Sequence, residues 1–284
     1  MRRPSGSYAA SALAILTGLA SLNIGAALGK SLFPAVGADG VAALRTSISA
    51  LILVAVWRPC RTRLDGRQAG NLIVYGMMMG LMSLLIYRAF QTIPIGIAVG
   101  IEIMGPLCVV LFSSRRPADF LWLACGATGL LLLLPIASGV ARLDPVGVVY
   151  AIGAAACWAL YIIFGKRSAT IEGDQAVALG MVVAALVTLP LGLAHAGSAL
   201  LAPATLALGL VVALLSSAIP FSLEMIALKR LSNRSFGVLV GTAPAVGALA
   251  GYAILGETLT GLQWGAISLI ILAAAGSAGS ASAP

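Results

Sequence analysis

The sequence predicts an all-α polytopic membrane protein with ten transmembrane helices in two inverted five-helix repeats. Three observations lead there. Of 284 residues, 60% are hydrophobic and only 9% charged, and mean hydropathy is +1.05; soluble domains carry about 25% charged residues. The apolar residues fall into runs of roughly 20, the length a helix needs to cross a bilayer. Matching segments also recur along the chain at a nearly constant offset.

The expected spans are 8–29, 40–57, 70–89, 94–113, 119–137, 146–165, 175–194, 205–228, 235–255 and 262–279. Met1-Arg2-Arg3 before the first span resembles the start of a signal peptide. That span contains Asn23 and ends in Gly29-Lys30 without a cleavage site, and more spans follow, so it reads as a retained helix. Spans 3 and 4 are separated by little more than Gln91-Thr92-Ile93-Pro94, where the proline forces a boundary. Connections are short, and none is large enough for a soluble domain.

Orientation follows from the basic residues. Arg2, Arg3, Arg58, Arg61, Arg63, Arg67, Arg115, Arg116, Lys166, Arg167, Lys229, Arg230 and Arg234 fall on one side; Lys30, Arg88 and Arg142 fall on the other. Arg45 is left inside or at the edge of span 2. This bias places both termini in the cytoplasm. The net charge of +8 lies in short loops between apolar spans, a pattern of membrane orientation and not of a nucleic-acid-binding face. The bilayer is therefore the expected partner surface. Four cysteines give no disulfide framework: Cys108, Cys125 and Cys157 fall inside spans, and Cys60 sits among arginines.

The repeat is read from spacing. Ala89 to Pro106 matches Ala227 to Pro244 at an offset of 138. Gly29-Lys30-Ser31 is echoed by Gly165-Lys166-Arg167-Ser168 at 136, and Leu44–Ile52 aligns with Leu179–Val187 at 135. Spans 1 to 4 thus recur as 6 to 9, which divides the chain into residues 1–139 and 140–284. A unit with an odd number of crossings must be inverted when it repeats. Lys30 then occupies the position of Lys166 on the opposite side. Two inverted halves are the architecture through which secondary transporters alternate access.

Glu102, near the middle of span 4, is the costliest residue in the chain. An acid at that depth costs on the order of 2.5–3.5 kcal/mol on insertion scales. In a regular helix it shares a face with Ala98, Gly105 and Val109, while Pro106 removes a backbone donor and frees carbonyls one turn earlier. It is either a structural acid paired to a cation on another helix or a site for substrate and protons. Arg45 needs an anion or a path to water. It either snorkels to the surface, pairs with Glu102, or meets a substrate carboxylate while Glu102 takes an ammonium. Glu224 follows Pro220 and either pairs with Lys229-Arg230 or faces a pocket. Asn23, Ser83, Tyr87, Trp158 and Tyr161 are candidate pocket-lining groups. Gly105, Pro106, Pro220 and Pro244 are candidate helix breaks for gating.

Several chemistries are not indicated. Gly29-Lys30-Ser31 resembles the end of a phosphate-binding loop, but Ile24 stands at the place of its first glycine. The energy source is then an ion or substrate gradient. No cluster has metal-ligand spacing, and the sole histidine, His195, lies at the end of span 7 with no triad around it. Neither a cofactor nor an enzymatic activity is expected.

Several stretches resemble the drug/metabolite transporter superfamily, EamA type, and within it the bacterial inner-membrane threonine/homoserine exporters. They are Gly29-Lys30-Ser31-Leu32-Phe33-Pro34, Pro94-Ile95-Gly96-Ile97-Ala98, Gly105-Pro106-Leu107, Leu111-Phe112-Ser113-Ser114-Arg115-Arg116-Pro117, Ala156-Cys157-Trp158-Ala159, Pro220 to Leu228, and Leu255-Gly256-Glu257-Thr258-Leu259. The resemblance implies two inverted repeats around a central cavity, and export of small amino acids driven by the proton gradient. The alternatives are export of another small metabolite or amphiphilic drug on the same fold, or a non-transporting membrane subunit. The chain departs from the group's pattern at one place. Its relatives can carry a glutamate just before the proline of span 9, whereas here the residues are Thr242-Ala243-Pro244.

Overall fold

The computed structural model describes residues 5–59, 64–93, 95–113, 117–133, 144–169, 171, 175–243, 245–246 and 260–282. Every regular element among them is a helix. In chain order these are α1 (Ser5–Lys30), α2 (Phe33–Trp57), α3 (Gly66–Thr92), α4 (Ile95–Glu102), α5 (Met104–Ser113), α6 (Pro117–Leu133), α7 (Pro145–Ser168) and α8 (Gln175–Ala196). A 3-10 turn (Gly197–Leu201) leads to α9 (Pro203–Ala213), a π-helical turn (Leu214–Ala218) and α10 (Ile219–Arg230). Then come α11 (Asn233–Val240) and α12 (Gly261–Ser282). Six helical stretches are long and apolar enough to cross a membrane: Ala10–Lys30, Phe33–Trp57, Gly66–Thr92, Pro145–Ser168, Gln175–Leu201 and the rod Pro203–Arg230. Shorter apolar helices cover Ala98–Val109, Phe120–Gly129 and Trp264–Ala273.

Local chemistry sets several boundaries. Asp65 and Gln68 form a reciprocal capping box at the start of α3. Asp144 caps α7 through the Val146 amide, with Pro145 in the first turn. Ile93 is extended ahead of Pro94 and ends α3.

Two elements differ from the sequence expectation. Span 2 was expected from residue 40, but α2 already begins at Phe33. Pro34 lies in its first turn, and the helix kinks at Gly37 (φ 65°, ψ 178°), a conformation glycine adopts without strain. The kink brings Asp39 into the helix, where the Arg88 guanidinium grips its carboxylate through Nε (2.7 Å) and Nη2 (2.9 Å). His195 Nδ1 stands 3.1 Å from the second Asp39 oxygen. Span 4 is two helices, α4 and α5, broken by a turn at Ile103. The proline ring at 106 cannot donate to the Glu102 carbonyl four residues earlier. The later part of span 9, with Pro244, lies outside the described residues.

The exterior is oily and the interior holds the polar groups. Phe112, Leu51 and Leu201 are 87%, 72% and 70% exposed, which water would penalise and lipid does not. Inside, small residues let backbones approach. A methyl group on Gly105 would lie 2.0 Å from the Ala155 carbonyl oxygen of α7, and one on Gly25 would lie 2.6 Å from the Ser216 amide. Thr46 of α2 and Thr188 of α8 share a buried hydroxyl–hydroxyl bond of 2.6 Å.

This packing makes Gly105→Ala costly, by about 1–3 kcal/mol from overpacking. Gly70→Ala, at an exposed site with nothing within 4 Å of the added carbon, should instead stabilise by about 0.4–1 kcal/mol through the unfolded chain. Thermal unfolding of both variants in detergent checks this; equal melting temperatures would contradict the close contact between α5 and α7.

Candidate functional site

The site is built around a proline. Pro220 has no amide hydrogen, so the Ser216 carbonyl four residues earlier loses its helical donor. The chain widens into the π-helical turn just before it. Backbone carbonyls freed at this depth need protein partners, and α1 and α2 supply them. Ser21 Oγ donates to Leu215 O at 2.7 Å, and Ser49 Oγ to Ala213 O at 2.9 Å. Arg45 Nη2 donates to Ser216 O at 2.5 Å, while its Nε donates to Ser217 Oγ at 2.8 Å.

Arg45 is therefore an interior residue. It is 3% exposed, and its guanidinium carbon lies 5.3 Å from the Tyr87 ring centre and 6.0 Å from that of Phe221. It does not snorkel to a surface. Two aromatic faces and two neutral acceptors hold its charge, and its remaining N–H groups are left for the space beside it.

That space is an internal cavity of about 50 Å³, room for roughly three to five waters. Arg45 lines it together with Glu102 and Glu224, which are buried at 7% and 2% exposure. Asn23, Ser83, Tyr87 and Trp158 also face it, along with Phe221 and Ala243. Tyr161 does not line the cavity but stands behind it: its hydroxyl donates to Glu224 Oε2 at 2.9 Å, and its ring stacks on Tyr75 with centres 5.0 Å apart. Glu224 thus turns inward to a tyrosine. Among the described residues no ion pair joins Arg45 to either acid. Asn23 spends its amide on the Leu19 carbonyl one turn back, at 2.8 Å.

Of the candidate helix breaks, Gly105 and Pro106 lie just past the turn that follows Glu102, and Pro220 lies beside Arg45's anchor. Pro244 is outside the described residues. Sequence reasoning missed Ser216 and Ser217. The signal was available, because Ser216 is the position four residues before a proline in an apolar span. It also missed the Asp39–Arg88–His195 group, which borders a separate cavity of about 400 Å³ where α2 and α7 begin and α3 and α8 end. Among the described residues no group of three or more His, Cys, Asp or Glu side chains could hold a metal ion. Cys108, Cys125 and Cys157 are free thiols.

Helices with an oily exterior, irregular turns in mid-span and charges turned onto an interior cavity define a membrane transporter. Residues 145–278 match the EamA-like transporter family. The chain is 48% identical over 265 residues to the threonine/homoserine exporter RhtA of Salmonella typhimurium (strain LT2), covering 93% of this chain and 90% of that one. It is also 48% identical over 263 residues to RhtA of Escherichia coli (strain K12), covering 93% and 89%. An uncharacterized inner membrane transporter of the same strain, YedA, is 28% identical over 191 residues, covering 64% and 61%. A crystal structure of a protein 23% identical to this one superposes with a TM-score of 0.75 over 97% of both chains, so the fold is shared. The chain belongs to the EamA-like transporter family, and it is a transporter and not an enzyme.

The bond behind the cavity gives a structural prediction. Tyr161→Phe removes only the hydroxyl that Glu224 accepts from, so stability should fall by about 1–3 kcal/mol. A melting temperature in detergent equal to that of the parent protein would show that Tyr161 does not hold the carboxylate.

Proposed function

We propose that the protein exports small amino acids, threonine, homoserine or close analogues, from the cytoplasm in exchange for protons. The observation that carries this reading is a pair of buried opposite charges, Glu102 and Arg45, that line one cavity without pairing to each other. A zwitterion completes such a site. Its ammonium meets Glu102, and its carboxylate meets the Arg45 guanidinium, already aimed by Ser216 and Ser217. The identity to exporters named for threonine and homoserine supports the cargo. Glu102 takes the ammonium or a proton, and a carboxylate that cannot hold both links the two fluxes. Glu224 is a second acid in the cavity, fixed by Tyr161, and Asn23, Tyr87 and Trp158 line its wall.

In this reading the chain crosses a bacterial inner membrane ten times, in inverted halves of residues 1–139 and 140–284, with both termini in the cytoplasm. The bias of the basic residues supports the orientation. The single family unit matched at 145–278 supports the division. Lys166 and Lys30, equivalent by the repeat, support the inversion. Lys166, near the end of α7, donates to the carbonyls of Leu228 and Leu231 at the end of α10. Lys30 ends α1 exposed to solvent. One end clasped and its counterpart open is the arrangement expected of an inverted repeat in one of its two access states.

A different small cargo on the same fold is favoured by one feature. Ala243 lines the cavity where relatives can carry an acid, and Thr242 spends its hydroxyl on the Leu239 carbonyl. That wall is neutral and small.

The test is Glu102→Gln in cells preloaded with labelled threonine. Efflux should fall at least about ten-fold at normal membrane abundance, the loss expected from removing a charged partner. Efflux at the parental rate would remove Glu102 from the mechanism.

A further inference from the structure

Two buried polar atoms at the cavity wall have no use in the charge-matching scheme above. Trp158 Nε1 and Ser83 Oγ are buried and have no hydrogen-bond partner among the described residues. Buried polar groups are almost always partnered, so each one left over needs an explanation. Tyr87 Oη is also unpartnered, but it is turned toward α1: a methyl group on Gly29 would lie 2.9 Å from it.

Trp158 and Ser83 both line the cavity, at similar levels along their helices. Leu85 of α3 meets α7 at Gly153, and Gly105 of α5 meets α7 at Ala155. Ser83 is two residues from the first contact, Trp158 three from Ala155, and Glu102 three from Gly105. At 1.5 Å rise per residue, all three lie within about one to two helical turns of the same level. The indole N–H can only donate, whereas the serine hydroxyl can donate and accept. Together they match a hydroxyl group, which accepts from one and exchanges with the other. They do not match a methyl group.

We infer that Trp158 and Ser83 form the subsite that reads the side-chain hydroxyl of the cargo. This rests on the amino-acid reading above and deepens it. Glu102 and Arg45 select the zwitterionic backbone common to all amino acids, and they cannot tell threonine from its isostere valine. A pocket built around a hydroxyl rejects the isostere, because its own buried groups are then left unpaired.

The test uses purified full-length protein in liposomes loaded with unlabelled threonine. Labelled threonine counterflow is measured with threonine, homoserine, serine and valine as competitors. Trp158→Phe keeps an aromatic ring, smaller than the indole, and removes the donor; Ser83→Ala removes the second partner. Thermal melts report whether each variant folds, and either one alone suffices. The parent protein should prefer threonine over valine by at least about ten-fold, and each folded variant should bring the preference to within about three-fold. A preference unchanged in the variants, or threonine and valine weakened equally by Trp158→Phe, would overturn the subsite while the transport reading stands. Counterflow with no amino acid in the parent protein would overturn both.

Discussion

The interior depends on how one carbonyl is satisfied. Pro220 deprives Ser216 of its helical donor, and Arg45 replaces it. Without that bond the rod from Pro203 to Arg230 would carry an unpaired carbonyl inside the bundle, and the guanidinium would keep only the Ser217 hydroxyl as a hydrogen-bond acceptor. Each loss is costly in a bilayer, and the one bond removes both. The same bond ties α2 to the rod and fixes where the positive charge faces. Ser21 and Ser49 continue the pattern along the π-helical turn. Three carbonyls of the irregular backbone, those of Ala213, Leu215 and Ser216, are thus partnered by side chains of α1 and α2.

Among the described residues, that arrangement leaves the acids without an ion-paired cation. Arg45 is held by neutral acceptors and aromatic faces, so neither Glu102 nor Glu224 consumes it. Elsewhere the fold uses direct pairing. Asp39 and Arg88 meet bidentately, and a ligand would have to break that pair to use either group. The contrast separates a structural ion pair from a site whose charges are held apart. The two acids also differ from each other. Glu224 accepts a tyrosine hydroxyl, whereas Glu102 sits where Pro106 interrupts the helix, beside a turn and a glycine pressed onto α7. The backbone around Glu102 therefore has a defined place to bend.

The membrane-crossing stretches were legible because apolar runs of sufficient length have few other uses. The polar residues of the cavity were legible for the complementary reason: Glu102, Arg45, Glu224 and Asn23 are expensive in such runs unless they face inward. Hydropathy placed the start of the second span at residue 40, whereas α2 begins at Phe33 and takes in Asp39. Its charge is cancelled by Arg88, 49 positions away in sequence, a pairing that no local window can see. The π-helical turn was also hidden, since it is a change of backbone register without a composition of its own. Tyr161, a candidate pocket-lining group in the sequence, lies one layer behind the cavity against Glu224, because sequence spacing gives the face of a helix and not the depth of a side chain. Pro244 and the end of its span lie outside the described residues.

Exchange of a proton for an amino acid at one buried carboxylate, as proposed, is tested most directly with the purified parent protein in liposomes that enclose a pH-sensitive dye. Threonine added outside should enter while protons leave, so the lumen should become more alkaline in proportion to labelled threonine taken up. Threonine uptake with no change in luminal pH would contradict proton exchange.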